Sequence, residues 1–123
     1  MEKFRFKNWP VYKDSRDLRN KVKGVLKKFP KEERFELTSQ MRRALNSILL
    51  NIAEGSDQGT DRHKAQYMGT ALGSANEVMA SLDIALDDGY INPTEYQELK
   101  EDTGRVAKQL MGFKRKLKKD SFK

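Results

Sequence analysis

Four stretches of this sequence repeat apolar residues at alternating three- and four-residue spacing, and each is bounded by proline, glycine or an N-cap residue. That recurrence collects the apolar side chains on one face of an α-helix. No stretch alternates apolar and polar residues as a half-buried strand requires, so the expected fold class is all-α. In the first stretch Val11, Ser15, Leu18, Val22, Val25, Leu26 and Phe29 keep the spacing, and Pro10 is tolerated in the first turn. Phe29-Pro30 ends it, because the residue before a proline is pushed out of the α region, and the helix is expected over residues 9–28. The second helix, residues 31–54, has Glu32 and Glu33 near its positive end and the face Leu37, Met41, Ala44, Leu45, Ile48 and Ile52, with Gly55 expected as the C′ stop.

Thr60 is a plausible N-cap for a third helix, residues 61–87, whose face is Met68, Ala71, Leu72, Ala75, Val78, Met79, Leu82, Ala85 and Leu86, with Gly89 closing it. The fourth start is the best specified: Asn92 at N-cap, Pro93 at N1, Glu95 at N3, and Ile91 stapled to Tyr96. Tyr96, Leu99, Thr103, Val106, Leu110, Phe113 and Leu117 then repeat like a coiled-coil seam through residues 93–117. With short connections, sequential helices become antiparallel neighbours. A chain of 123 residues holds one core. The expectation is therefore a single domain over residues 1–123, an antiparallel up-down-up-down four-helix bundle.

The chemistry the chain lacks narrows its function. It has no cysteine, which removes disulfides, thiolate metal sites and thiol nucleophiles. The N-terminus alternates charges with aromatics, and no long uncharged apolar run follows, so no export signal or membrane span is expected and the cytoplasm is the expected compartment. His63 is the only histidine, and beside Asp61, Arg62 and Lys64 it suits an exposed first turn better than a metal or catalytic role. Asp83, Asp87 and Asp88 form the closest carboxylate group, but they lack the ligand series of a calcium loop and suit a solvated face. With no phosphate loop and no Ser/His/Asp set, neither an enzyme nor a bound cofactor is expected.

Several runs together carry a family resemblance. They are Phe29-Pro30-Lys31-Glu32-Glu33-Arg34-Phe35-Glu36-Leu37-Thr38-Ser39-Gln40-Met41-Arg42-Arg43-Ala44, Asn51-Ile52-Ala53-Glu54-Gly55, and Ala71-Leu72-Gly73-Ser74-Ala75-Asn76-Glu77. Over nearly its whole length the chain resembles the four-helix-bundle family encoded in intervening sequences of bacterial 23S ribosomal RNA genes, which is similar in turn to the accessory variability determinant of diversity-generating retroelements. The resemblance implies an antiparallel bundle assembled into a homo-oligomeric ring, typically a pentamer, without catalytic activity. The retroelement relatives imply nucleic acid and a reverse transcriptase as partners. The chain departs from the family at Ser47-Ile48-Leu49-Leu50, where members usually carry a proline, and at Ser56-Asp57-Gln58-Gly59, where they usually carry a basic loop. The missing proline predicts a straighter second helix.

Assembly residues follow from local cost. Glu54 sits in the last helical turn, where exposed carbonyls disfavour an anion, so a cationic partner from a neighbouring helix or subunit is expected. Gly69, Gly73, Ser74 and Ala75 put small residues inside the third helix, although each interior glycine costs roughly 1 kcal/mol against alanine. Such a cost suggests close approach of another backbone, from the same bundle or from a second subunit.

The main candidate for binding is charge. Residues 1–31 carry 11 Lys/Arg against 3 Asp/Glu, residues 105–123 carry 8 against 1, and the stretch between carries 6 against 14. Lys13, Arg16, Asn20, Lys23 and Lys27 follow helical spacing on the first helix, as Arg105, Lys108, Arg115 and Lys119 do on the fourth, joined by Lys114, Lys116 and Lys118. Because those helices should be neighbours, their charges are expected to merge into one positive face with a basic pole, a footprint for RNA or DNA phosphates. Two readings follow. One is a homo-oligomeric scaffold binding nucleic acid through Lys13, Arg16, Lys23, Lys27, Arg105, Lys108, Arg115 and Lys119; the other is a protein-assembly module, and either suits an accessory of a mobile element.

Overall fold

The computed structural model describes residues 3–121, and side chains as far as residue 118. A 3₁₀ turn at Arg5–Asn8 precedes α1 (Pro10–Leu26), and a second at Lys31–Glu33 leads to α2 (Leu37–Ser56). The remaining elements are α3 (Asp61–Asp87) and α4 (Pro93–Ser121). No strand occurs among the described residues. Each helix packs on two neighbours, α1 on α2, α2 on α3, α3 on α4 and α4 on α1, with no diagonal packing among the described residues. Cross-helix pairs run in opposite senses, as in Asp14 with Gln109 against Lys28 with Glu95, so neighbours are antiparallel. The fold is an all-α four-helix bundle.

Each apolar stripe faces the shared interior. Leu18, Val22, Met41, Leu45, Ile48, Ile52, Met68, Val78, Leu82, Leu99, Val106 and Leu110 are all at most 2% exposed. Two of the three buried hydroxyl residues donate to their own helix: Ser15 to the Val11 carbonyl at 2.6 Å and Thr103 to that of Leu99 at 2.7 Å. Aromatic pairs close the two ends of the bundle. Phe29 lies 5.2 Å from Tyr90 at one, and Trp9 lies 5.2 Å from Phe113 at the other.

The caps divide into kept and corrected. Asn92 and Glu95 exchange both bonds of a capping box, at 3.0 and 2.7 Å, and Thr60 Oγ1 accepts from the His63 amide at 3.2 Å. Gly89, at φ 75°, closes α3 in the left-handed conformation, with the Tyr90 amide bonded to Ala85 O and the Gly89 amide to Leu86 O. Gly55, however, is no stop. It lies inside α2, which continues to Ser56, and a Cβ there would meet Met68 Cε at 2.7 Å and Tyr67 Cβ at 2.8 Å. Its missing side chain serves the close packing of α3. The second helix also starts at Leu37 rather than residue 31, because residues 31–36 bury no side chain that would hold a helix against the core.

Candidate nucleic-acid interface

The seam between α1 and α4 carries both signs of charge. Asp14 and Lys21 of α1, and Lys28 in the turn just past its end, recur every seven residues and share an edge. Facing them across the seam are Glu95, Glu98, Asp102 and Gln109 of α4. Lys21 Nζ lies 2.8 Å from Asp102 and 3.1 Å from Glu98, Lys28 pairs with Glu95, and Gln109 donates to Asp14 at 2.8 Å. The hydrogen bonds to Asp102 and then Glu98 push the Lys21 ammonium above the ordinary lysine value. The Glu95 carboxyl is held below the ordinary range by Lys28 and by the Asn92 amide.

These pairs correct the expectation that the basic residues of the first and fourth helices merge into one face. Between the two stripes runs a groove lined by Asp14, Asp17, Leu18, Lys21, Asp102 and Arg105, where three carboxylates offset the lysine and arginine. Arg105 itself is engaged by Asp102 at 3.2 Å.

The other basic candidates point outward. Lys13, Arg16, Lys23 and Lys27 of α1, with Lys108 and Arg115 of α4, are exposed, and among the described residues none of the six enters an ion pair. Lys119 is within α4, but its side chain lies outside the described residues. Lysines of one helix are thus sorted by face: Lys21 and Lys28 are neutralised, whereas Lys23 and Lys27 are left to solvent.

One basic group was not anticipated. Arg19, Lys23 and Arg42 converge on a groove between α1 and α2, floored by Leu26 and Leu45. Arg19 Nε donates to Asn46 Oδ1 at 2.9 Å and its Nη1 to Asn20 Oδ1 at 3.1 Å, which fixes the guanidinium across the seam. Arg42 belongs to the acidic middle of the chain, so a charge count by segment hides it. The adjacent Arg42-Arg43 pair, the only basic residues of a helix whose one acid is Glu54, is the signal that could have found it.

The assembly candidates are also resolved. Glu54 is exposed and has no ion pair among the described residues, which corrects the expected cation from a neighbouring helix of the same chain. Side-chain donors relieve that helix end instead: Ser56 Oγ bonds to the Ala53 carbonyl at 2.6 Å and Gln58 Nε2 to that of Glu54 at 3.2 Å. Neither glycine meets a backbone within the bundle. Gly69 accommodates Lys114, whose Nζ would lie 3.2 Å from an added Cβ, and Gly73 faces open space. Ser74 Oγ lies 2.8 Å from Ser47 Oγ across the α2–α3 seam, and Asn51 also donates to that Ser47 oxygen. Asp83 accepts from the Tyr96 hydroxyl at 2.5 Å, and no group of three or more His, Cys, Asp or Glu among the described residues is placed to hold a metal.

The family model described as 23S rRNA-intervening sequence protein matches residues 7–112. The chain belongs to that family. The chain is also similar to a crystal structure from Bacteroides thetaiotaomicron described as a protein with unknown function from the S23 ribosomal protein family. That likeness has a TM-score of 0.76 at 23% identity and covers 83% of this chain and 95% of the other, and it supports the shared fold. A search of the curated proteins finds no match to this sequence. The family match reaches all four helices and stops short of the last basic residues of α4, so the charged end from Lys114 onward lies outside the matched span. No helix among the described residues is long and apolar enough to cross a membrane.

Proposed function

We propose that this chain is a non-catalytic, homo-oligomeric scaffold of the cytoplasm that binds RNA or DNA through phosphate contacts, as an accessory to a mobile element and its reverse transcriptase. The observation that carries the reading is the sorting of cations by face. Lys21, Lys28 and Arg105 are consumed by carboxylates in the α1–α4 seam, while Lys13, Arg16, Lys23, Lys27, Lys108 and Arg115 project into solvent unpaired among the described residues. Unpaired surface cations cost self-repulsion and gain from a polyanion, whose condensed counterions they release. Arg19 and Arg42 extend this charge over the α1–α2 face.

The test is an anisotropy titration with labelled single-stranded RNA, single-stranded DNA and duplex DNA at three salt concentrations. Six to ten phosphate contacts weaken binding by about 10³- to 10⁵-fold between 50 and 200 mM salt. Replacing Lys23 and Lys27 by glutamine is expected to lower the slope of log affinity against log salt by about 2, since each lysine neutralises one phosphate. No binding at low salt sinks the proposal.

A second reading, a protein-assembly module, draws on a different surface. Leu50 is 65% exposed on α2, and Gly73 is open on α3 beside Ser74. An exposed leucine on α2 and an open glycine on α3 suit a second copy of the chain, which would give Glu54 a route to a cation from a neighbouring subunit. If reversing Lys23, Lys27, Lys108 and Arg115 to Glu disperses the oligomer, the charges serve assembly instead; if it abolishes nucleic-acid binding and spares the oligomer, they serve the scaffold.

A further inference from the structure

We infer that the apolar groove beside the Trp9–Phe113 pair receives an unpaired nucleobase against the exposed side of those rings, so that the protein prefers single strands to duplexes. This inference rests on the nucleic-acid reading and adds the class of nucleic acid. The groove measures about 510 Å³, within the range of small-ligand sites of about 300–1,000 Å³, and Trp9, Pro10, Gly112, Phe113, Lys116 and Leu117 line it. The two rings are half-buried, 5.2 Å apart and tilted at 42°, so they form the corner of a slot and not a sealed stack. Nothing approaches within 4 Å of the place where a Gly112 side chain would stand, which keeps that wall flat.

The charge around the slot selects its occupant. On the two segments that line the slot no acidic residue occurs from residue 3 to residue 13 or from residue 103 to residue 119, and Lys116 lies on the rim, while the acids at the same end of the bundle, Glu54, Asp57 and Asp61, belong to α2, α3 and the turn between them. The nearby carboxylate, Asp14, is already bonded to Gln109. A ligand that suits both the walls and the rim carries a flat apolar face and a chain of negative charge. A single-stranded nucleic acid has both, because its bases are free to leave their stack and rest on aromatic side chains while its phosphates meet lysines. A duplex hides those faces. An anionic membrane would select apolar groups that stand proud of the surface, whereas Trp9, Phe113 and Leu117 are half-buried and the exposed Phe4 ring lies outside the groove lining.

Trp9 is the only tryptophan in the chain, so its emission reports on this groove alone. The full-length protein is titrated with a short mixed-sequence single-stranded RNA, with the corresponding duplex, with inorganic polyphosphate and with vesicles of phosphatidylserine and phosphatidylcholine. The expected result is quenching of Trp9 by the single strand and not by polyphosphate or duplex. Phe113→Leu and Trp9→Leu, each read by anisotropy, are expected to weaken single-strand binding about 5- to 100-fold and to leave competition by polyphosphate unchanged. If no polyanion binds, the phosphate reading fails and this inference falls with it. If RNA and polyphosphate both bind while Trp9 emission stays constant, phosphate binding survives and the base slot is refuted. A response of Trp9 to vesicles but not to RNA also refutes it.

Discussion

Replacing Gly55 by alanine tests the tightest contact in the bundle. An alanine Cβ at that position would stand 2.7 Å from Met68 Cε and 2.8 Å from Tyr67 Cβ, well inside ordinary van der Waals distance. Met68 Cε ends a flexible side chain and can yield, but Tyr67 Cβ is attached directly to the backbone of α3 and cannot. Relief therefore requires α2 and α3 to part by a few tenths of an ångström at this end. Overpacking of this kind costs about 1–3 kcal/mol, and removing a helical glycine returns about 1 kcal/mol, which leaves a net destabilisation of about 0–2 kcal/mol. Gly24→Ala in α1 is the reference, since nothing lies within 4 Å of an added Cβ there, and it is expected to gain about 0.5–1 kcal/mol. For a domain this size 1 kcal/mol moves Tm by about 3–6 °C. Far-UV circular dichroism melts should thus move the two variants in opposite directions. A Gly55→Ala protein that melts above the wild-type temperature would refute the packing argument and return Gly55 to the role of a helix stop.

Three further outcomes follow from the same geometry. Glu95→Ala removes the Glu95 half of the capping box and the Lys28 partner, leaves the bond from the residue-95 amide to Asn92, and should cost about 1–2 kcal/mol by denaturant titration. Because the folded Glu95 carboxyl titrates below its ordinary value of 4.5, its contribution is complete above that pH and is lost as the pH falls through the lower folded value, so the gap between wild type and variant should close in acid. Tyr96→Phe should remove one late-titrating phenol from the alkaline absorbance curve, since the bond to Asp83 raises that group, and should leave Tyr90, which burial and then Glu33 and Asp88 push up. That bond's stabilisation is present below the ordinary phenol value and is lost above the raised one. Gly73→Ala should reduce the oligomer mass measured by light scattering without lowering Tm at high dilution, and an unchanged mass would remove Gly73 from any subunit interface.

How much of this was legible in the sequence depended on the range of the interaction. Asn92 with Glu95, Thr60 with the His63 amide, and Gly89 with Tyr90 all act within five residues, and spacing alone located each of them. Gly55 and Gly89 look alike in the sequence, each following an apolar run, but only Gly89 adopts the left-handed conformation. What separates them is a contact with Tyr67 and Met68 on another helix, which no local rule contains. The misplaced start of α2 has the same origin. Glu32 and Glu33 are good first-turn residues, but a short helix needs tertiary packing to persist, and the first side chain of that segment to reach the core is Leu37.

The candidate site divides along the same line. Helical spacing assigned Lys23 and Lys27 to one stripe, and it leaves Lys21 and Lys28 on another, but spacing within a helix does not say which neighbour that second stripe meets. The antiparallel register of α1 and α4 decides it, bringing Lys28 to Glu95, Lys21 to Glu98 and Asp102, and Asp14 to Gln109. Charge is thereby removed from the seam and kept on the outer faces and on the pole where Trp9 meets Phe113. Two lysines only two positions apart consequently answer to different demands: Lys21 bonds the helices to each other, and Lys23 is free to bind elsewhere. On α1 and α4 the acids Asp14, Glu95, Glu98 and Asp102 lie where the two helices meet and the unpaired cations lie outside that seam, so the pair presents a basic surface without losing the bonds that join it.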